Sequence, residues 1–172
     1  MISVSSIMKD LAEAKARSFK ILVLEKQSLV RMGICAALNK ENYLDVIAEY
    51  NSMGLLLKFS TEIYIDLLII DHEIIGHDYL SEIKKIKDKF TRSKILITTL
   101  DSSIDLQLNY FLTGCSGVFY KILDGSFLVK AVKTILCDDL WFERKILNSL
   151  AAGYDITQSS GNINSKTNDV KI

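Results

Sequence analysis

The sequence predicts an α/β fold in which a five-stranded parallel sheet is covered by helices on both faces. Three observations predict it. Apolar, strand-length runs alternate with helical patterns five times between residues 20 and 137. The clearest runs are apolar at nearly every position, as in strands buried on both sides. Four of them end in chemically active residues: Glu25 with Lys26, Asp71, Thr99 and Lys121. The carboxyl ends of strands form the ligand crevice of an open α/β sheet, so these ends are expected to build one site. Successive strand–helix–strand units imply right-handed crossovers.

Residues 1–18 read as a short helix capped by Ser5 or Ser6, with Met8, Leu11 and Ala12 on one side. The first strand is 20–24, and a helix with Leu29, Ala37 and Leu38 among its apolar positions follows over 28–39. Residues 44–49 alternate weakly and form the second strand, and 52–59 a short helix. The third strand, 65–70, is closed by Asp71, whose charge is costly to bury and belongs where a strand meets solvent. Residues 79–90 form an amphipathic helix with Leu80, Ile83, Ile86 and Phe90 on one face. Lysines 84, 85, 87 and 89 are expected on its solvated side. The fourth strand is 94–98, followed by a helix over 103–112 that Gly114 stops. The fifth strand is 117–120, followed by a helix over 126–137 with Phe127, Leu128, Ala131, Val132, Ile135 and Leu136 as a continuous stripe. Further helical turns are expected over 141–152 as a linker. Residues 153–172 are polar and carry too little apolar surface to offset the entropy of ordering, which predicts disorder.

Composition narrows the function. A length of 172 residues suits one domain with extensions, and a 49% hydrophobic content suffices for a core. The formal net charge is zero, so no global field draws the chain to nucleic acid or acidic lipid. No apolar run approaches a bilayer span, and the N-terminus lacks a secretory pattern, so a cytoplasmic chain is expected. Cys35, Cys115 and Cys137 have no metal-site or disulfide spacing and are expected as small core residues. No Gly-rich phosphate loop follows the first strand, which argues against a nucleotide-binding enzyme. In the segment 72–77, His72 and His77 are five apart with Gly76 between, so they would not share a helix face as zinc ligands do.

Four segments, in this order and spacing, resemble the receiver domain of two-component response regulators of the LuxR/FixJ type. They are 21–33 (ILVLEKQSLVRMG), 66–71 (DLLIID), 94–99 (KILITT) and 114–121 (GCSGVFYK). The resemblance covers roughly 20–140 and implies a flavodoxin-like (βα)5 fold with strand order 2-1-3-4-5. It implies a signalling module rather than an enzyme. Asp71 matches the phosphoacceptor, Lys121 the ammonium that pairs with the phosphoryl group, and Thr99 the hydroxyl that responds to it, with Thr98 as a rival one residue away. Mg²⁺ would be held by Glu25, Asp71 and the Glu73 carbonyl. Here the sequence departs from the family: Lys26 replaces the second acid, supplies no oxygen ligand and repels a cation. Its ammonium would sit against Asp71 and Glu25 in place of the metal, or extend into solvent. Ile75, Tyr79 and Val118 also stand where the family has a proline, a small residue and an aromatic switch residue. Two functions stay open: a receiver phosphorylated on Asp71, and a pseudo-receiver that signals by protein binding alone. The implied partner is a histidine kinase or another signalling protein. Homodimerisation is compatible with either. No nucleic-acid partner is expected, because the polar tail is too short for three packed helices, and no membrane partner, because no apolar run spans a bilayer. Tyr110 and Phe111 are candidates for core or for an interaction face.

Overall fold

The computed structural model describes residues 18–60 and 62–151. The extension expected over 1–18 and the tail over 153–172 lie outside the described residues, apart from Ser18. Compact units divide between Phe142 and Glu143. The first contains β1 (Phe19–Leu24), α1 (Ser28–Leu38), β2 (Leu44–Tyr50), α2 (Met53–Lys58), β3 (Leu67–Asp71), α3 (His72–Ile75), α4 (Tyr79–Lys89), β4 (Lys94–Thr99), α5 (Ile104–Leu112), β5 (Gly117–Tyr120) and α6 (Gly125–Leu136). The second contains α7 (Arg144–Ala151).

All strand pairs are parallel, in the order β2-β1-β3-β4-β5. The sheet is the flavodoxin-like (βα)5 sheet. Its apolar strands have a physical reason: β3 is buried at every position because both of its faces are covered. Two cores result. Leu22, Leu68, Ile70, Ile95, Ile97 and Tyr110 pack with α2, α4 and α5 on one face. Ile21, Ile69, Leu96, Phe119 and residues of α1 and α6 pack on the other.

Several helix faces are rotated from expectation. Leu80 is 61% exposed, and the inner face of α4 is Tyr79, Ile83, Ile86 and Phe90, whose 4-3-4 spacing follows the helical period more closely. Leu29 and Phe127 also face outward, so the buried stripe of α6 reduces to Leu128, Ala131, Val132 and Ile135. The lysines of α4 divide. Lys87 donates to the carbonyls of Thr113 and Gly114 at 2.8 and 2.7 Å, and Lys89 to that of Leu57 at 2.8 Å. These bonds satisfy carbonyls that helix ends leave open. Of the three free cysteines only Cys115 is buried; Cys35 is intermediate and Cys137 exposed.

Two glycines are fixed by geometry. Gly114 has φ +74°, a left-handed conformation, and turns the chain from α5 into β5. Gly117 lies under the main chain at Trp141: an added Cβ would come within 2.7 Å of the Trp141 carbonyl oxygen. That approach lets Trp141 donate to Ser116 at 3.0 Å and accept from Val118 at 2.9 Å.

Candidate functional site

Glu25, Asp71 and Lys121 converge at the carboxyl end of the sheet. β1 and β3 are adjacent, so Glu25, just past β1, and Asp71, the last residue of β3, stand side by side. Lys121 directly follows β5, and its N–H donates to the Thr99 carbonyl at 2.9 Å. Its ammonium lies 2.6 Å from Asp71 Oδ1 and 2.8 Å from Glu25 Oε2. Glu25 and Asp71 are both fully buried. An isolated buried carboxylate is strongly disfavoured, and one cation shared between two makes this pair tolerable.

The remaining carboxylate oxygens are held by backbone. Asp71 Oδ1 also accepts the Glu73 N–H at 3.1 Å, which caps α3, and Oδ2 accepts the Lys26 N–H at a long 3.4 Å. Glu25 Oε1 accepts from the Gln27 N–H at 2.9 Å, and the Arg31 guanidinium donates to the Glu25 carbonyl at 2.8 Å. Burial pushes the Glu25 carboxyl up from its ordinary value, and the neighbouring Asp71 charge adds to this, against the lowering effect of the bonds from Lys121 and Gln27. For Lys121, burial alone would lower the ammonium; the hydrogen bonds to Asp71 and Glu25 outweigh it and hold the group above its ordinary value.

Lys26 does not occupy the pocket. Its backbone contacts Asp71, but its side chain is 64% exposed and its ammonium lies 4.0 Å from Glu73 Oε2. Of the two dispositions open from sequence, the outward one is found. The ion pair with Asp71 and Glu25, one of the two places open to the Lys26 ammonium, is made instead by Lys121, whose long side chain reaches inward from the strand next but one to β3. Thr99 is buried at the end of β4, and its hydroxyl oxygen accepts the Asp101 N–H at 3.0 Å. Thr98 is paired in register with Asp71, and its buried hydroxyl has no hydrogen-bond partner.

The residues do not fit a resident divalent cation. Glu25 Oε1 accepts an N–H, Oε2 makes no hydrogen bond but faces an ammonium at 2.8 Å, and a lysine stands where a second acid ligand would be needed. Among the described residues no three His, Cys, Asp or Glu side chains are grouped as a metal site. Thiol chemistry is equally poorly served: burial pushes Cys35 up to about 12 and Cys115 to about 11, so both are protonated near neutrality.

Beside the ion cluster lies a polar layer that the sequence pattern did not reveal. His72 Nδ1 and the Tyr110 hydroxyl are 2.6 Å apart, and Tyr110 is fully buried with the Tyr79 ring 5.7 Å away. The Gln107 amide donates to the Tyr120 hydroxyl. A glutamine three residues before a tyrosine on an apolar helix face was the available signal. Tyr110 is therefore core, whereas Phe111 is partly buried against Phe142, with ring centroids 5.4 Å apart.

No family model matches the chain. Over 131 residues it is 24% identical to the Fimbriae Z protein of Salmonella typhimurium, covering 76% of this chain and 62% of that protein. Over 154 residues it is 25% identical to the oxygen regulatory protein NreC of Staphylococcus aureus, covering 89% and 70%. The chain thus spans about three fifths to seven tenths of the length of these relatives. Among solved structures it is similar to the isolated REC domain of RcsB from Salmonella enterica serovar Typhimurium in the apo form, with TM-score 0.70 and 19% identity over 78% of this chain and 99% of that one. It is also similar to a LuxR-family two-component response regulator from Aurantimonas sp., with TM-score 0.68 and 23% identity over 78% and 96%. The fold is that of response-regulator receiver domains.

Proposed function

We propose that this chain acts as a two-component receiver that accepts a phosphoryl group on Asp71. The observation that carries the reading is the shared ammonium: Lys121 lies within 2.8 Å of both buried carboxylates at the strand ends. Phosphoryl transfer needs an aligned nucleophile and fixed positive charge for the developing negative charge. Asp71 Oδ1 is held by Lys121 and the Glu73 N–H, which leaves the weakly bound Oδ2 as the attacking atom. Its lone pair forms the new O–P bond, and the bond from phosphorus to the donor's nitrogen or acyl oxygen breaks. The leaving group keeps that electron pair, and the product is an aspartyl phosphate. Lys121 then pairs with a phosphoryl oxygen, and Thr99 offers its hydroxyl proton from the end of the neighbouring strand. The donor is a histidine kinase, or a small acyl phosphate in vitro.

The positive charge in this account is Lys121 rather than a metal. Lys26 and Glu73 flank Asp71 and approach each other across the rim, so the donor must displace them to reach a carboxylate that is fully buried at rest. Incubation of the full chain with acetyl phosphate, followed by intact-mass and peptide mass spectrometry, tests this. A phosphoryl adduct on Asp71 that persists in EDTA and is lost in Asp71→Asn supports it. Absence of an adduct from the wild-type chain, or its retention in Asp71→Asn, overturns it. The complete burial of Asp71 also favours the second reading, a pseudo-receiver acting through protein contacts, and that reading expects no adduct under any condition. Among the described residues no helix is long and apolar enough to cross a membrane.

A further inference from the structure

The side chains at the strand ends leave one charge unbalanced. Glu25 and Asp71 carry two formal negative charges, and Lys121, between them, carries one positive. An incoming phosphoryl group brings more negative charge to the same place, so its transfer calls for a second cation. Among the described residues, Lys26 and Lys121 are the only lysines or arginines within two positions of a strand's carboxyl end. The nearby Arg31 is committed: its guanidinium donates to the Glu25 carbonyl at 2.8 Å and lies 3.8 Å from Glu49 Oε2. Lys26 is not. Its side chain is 64% exposed, and its ion pair among the described residues is the long 4.0 Å approach to Glu73 Oε2. Exposed pairs of this kind contribute little, so little is lost when the ammonium leaves Glu73. Position favours it as well. Asp71 Oδ1 is held by Lys121 and the Glu73 N–H, whereas Oδ2 faces the Lys26 N–H at 3.4 Å. A phosphorus atom bonded to Oδ2 would stand beside the Lys26 backbone, within reach of the flexible lysine stem.

We infer that Lys26 is a catalytic residue of this site: its ammonium turns from Glu73 onto the transferring phosphoryl group and supplies there the positive charge that a divalent cation would otherwise bring. The inference rests on phosphoryl acceptance by Asp71. The lysine that unfits the site for a metal is then the group that takes the metal's electrostatic part. Lys121 and Lys26 flank the phosphoryl group from the Oδ1 and Oδ2 sides, and Glu73 is the partner that holds Lys26 outward at rest. With acetyl phosphate as donor, Oδ2 forms the new O–P bond, and the bond from phosphorus to the acetyl oxygen breaks with its electron pair on acetate. Lys26 forms no covalent bond and keeps its protons; its contribution is charge and hydrogen bonding alone.

The test uses the full chain at low ionic strength, where exposed charges are least screened. Intact-mass spectrometry follows labelling by acetyl phosphate in EDTA. Lys26→Met should slow labelling by roughly a hundredfold, and Lys26→Arg, which keeps the charge, should restore most of the rate. Lys26→Asp should label slowly in EDTA and recover on addition of Mg²⁺. By electron paramagnetic resonance it should also bind Mn²⁺, which the wild type should not. The side chain is exposed, so these substitutions leave the core untouched. Acetylphosphonate, whose phosphorus–carbon bond is not transferred, gives a readout without chemistry. In NMR titrations it should shift the Lys26 side-chain signals saturably and bind about tenfold more weakly to Lys26→Met. This arm separates the two proposals. Acetylphosphonate bound through Lys26 with no adduct from acetyl phosphate would defeat phosphoryl acceptance and sustain the contact made by Lys26. Wild-type labelling that Lys26→Met leaves unchanged would defeat the role of Lys26 and leave acceptance by Asp71 standing. Stimulation of the wild type by Mg²⁺, or a Lys26→Asp variant that neither binds Mn²⁺ nor responds to Mg²⁺, would also overturn the inference.

Discussion

On the sheet face covered by α4 and α5, the Tyr110 hydroxyl lies 2.6 Å from His72 Nδ1 and the Gln107 amide donates to Tyr120. On the face covered by α1 and α6, the Thr98 hydroxyl is buried and has no hydrogen-bond partner. The two faces share the same strands, so the difference arises from the helices laid against them. α5 brings polar side chains inward at Gln107 and Tyr110, whereas the inner surfaces of α1 and α6 are apolar. Buried polar groups specify a fold when each is satisfied and weaken it when one is not. The face with α4 and α5 is thus the more determined of the two, and the face with α1 and α6 leaves a buried hydroxyl unmatched. Lys121, at the end of β5, is where the two environments meet.

The strongest way to break this contrast is to remove the cation they share. Lys121→Met leaves Glu25 and Asp71 buried without compensation, and the expected cost is about 3–5 kcal/mol in urea denaturation. Adding Asp71→Asn to that variant should recover much of the loss, whereas a merely structural role for the lysine stem predicts no recovery. The contrast between the faces is sharpened by two smaller changes of opposite sign. Tyr110→Phe removes the hydroxyl facing His72 and should destabilise by about 1 kcal/mol. Thr98→Val removes a hydroxyl that bonds to nothing and should be neutral or stabilising by up to about 1 kcal/mol. Comparable losses in both variants would show that the faces do not differ in this way.

The smallest expected effect is a pH dependence. The folded pKa of Glu25 is raised above its value in the unfolded chain. The folded state therefore holds this proton more tightly, and the associated stability is present below the ordinary carboxylate value and lost as pH rises through the folded value. Denaturation from about pH 4 to about pH 7 should show the wild type losing stability relative to Glu25→Gln. Parallel curves would mean that Glu25 is not displaced upward. Lys121 is also raised, so its contribution is lost only in the alkaline range, as pH passes its folded value.

Much of this arrangement was legible in the sequence because it rests on short-range pattern. The strand runs and their terminal Glu25, Asp71, Thr99 and Lys121 are local signals, and parallel β-structure places strand ends together. Element boundaries differ from expectation by one or two residues, as at β3 (Leu67–Asp71), where 65–70 was expected. The short helix α3 was missed because Gly76 looked like an interruption, when it follows a single turn capped by Asp71. Side-chain direction was not legible. Nothing in Glu25-Lys26 says that the backbone of Lys26 reaches Asp71 while its ammonium goes to Glu73. The pairing of His72 with Tyr110 spans 38 positions and depends on where α3 and α5 are set on the sheet.

The segment at Trp141 gives the sheet two unlike borders. Along β5, backbone groups at Ser116 and Val118 that would otherwise face outward are already taken by the chain itself. Along β2, no further strand is paired among the described residues, and the border is marked by exposed Asp45 and Glu49. An extended peptide joining this molecule by strand addition would be turned away at one border and meet negative charge at the other. Such charge is a common guard against unwanted edge-to-edge assembly. Any fibril-like self-association of the folded chain would thus have to begin at β2, and replacing its two acids would be the change that invites it.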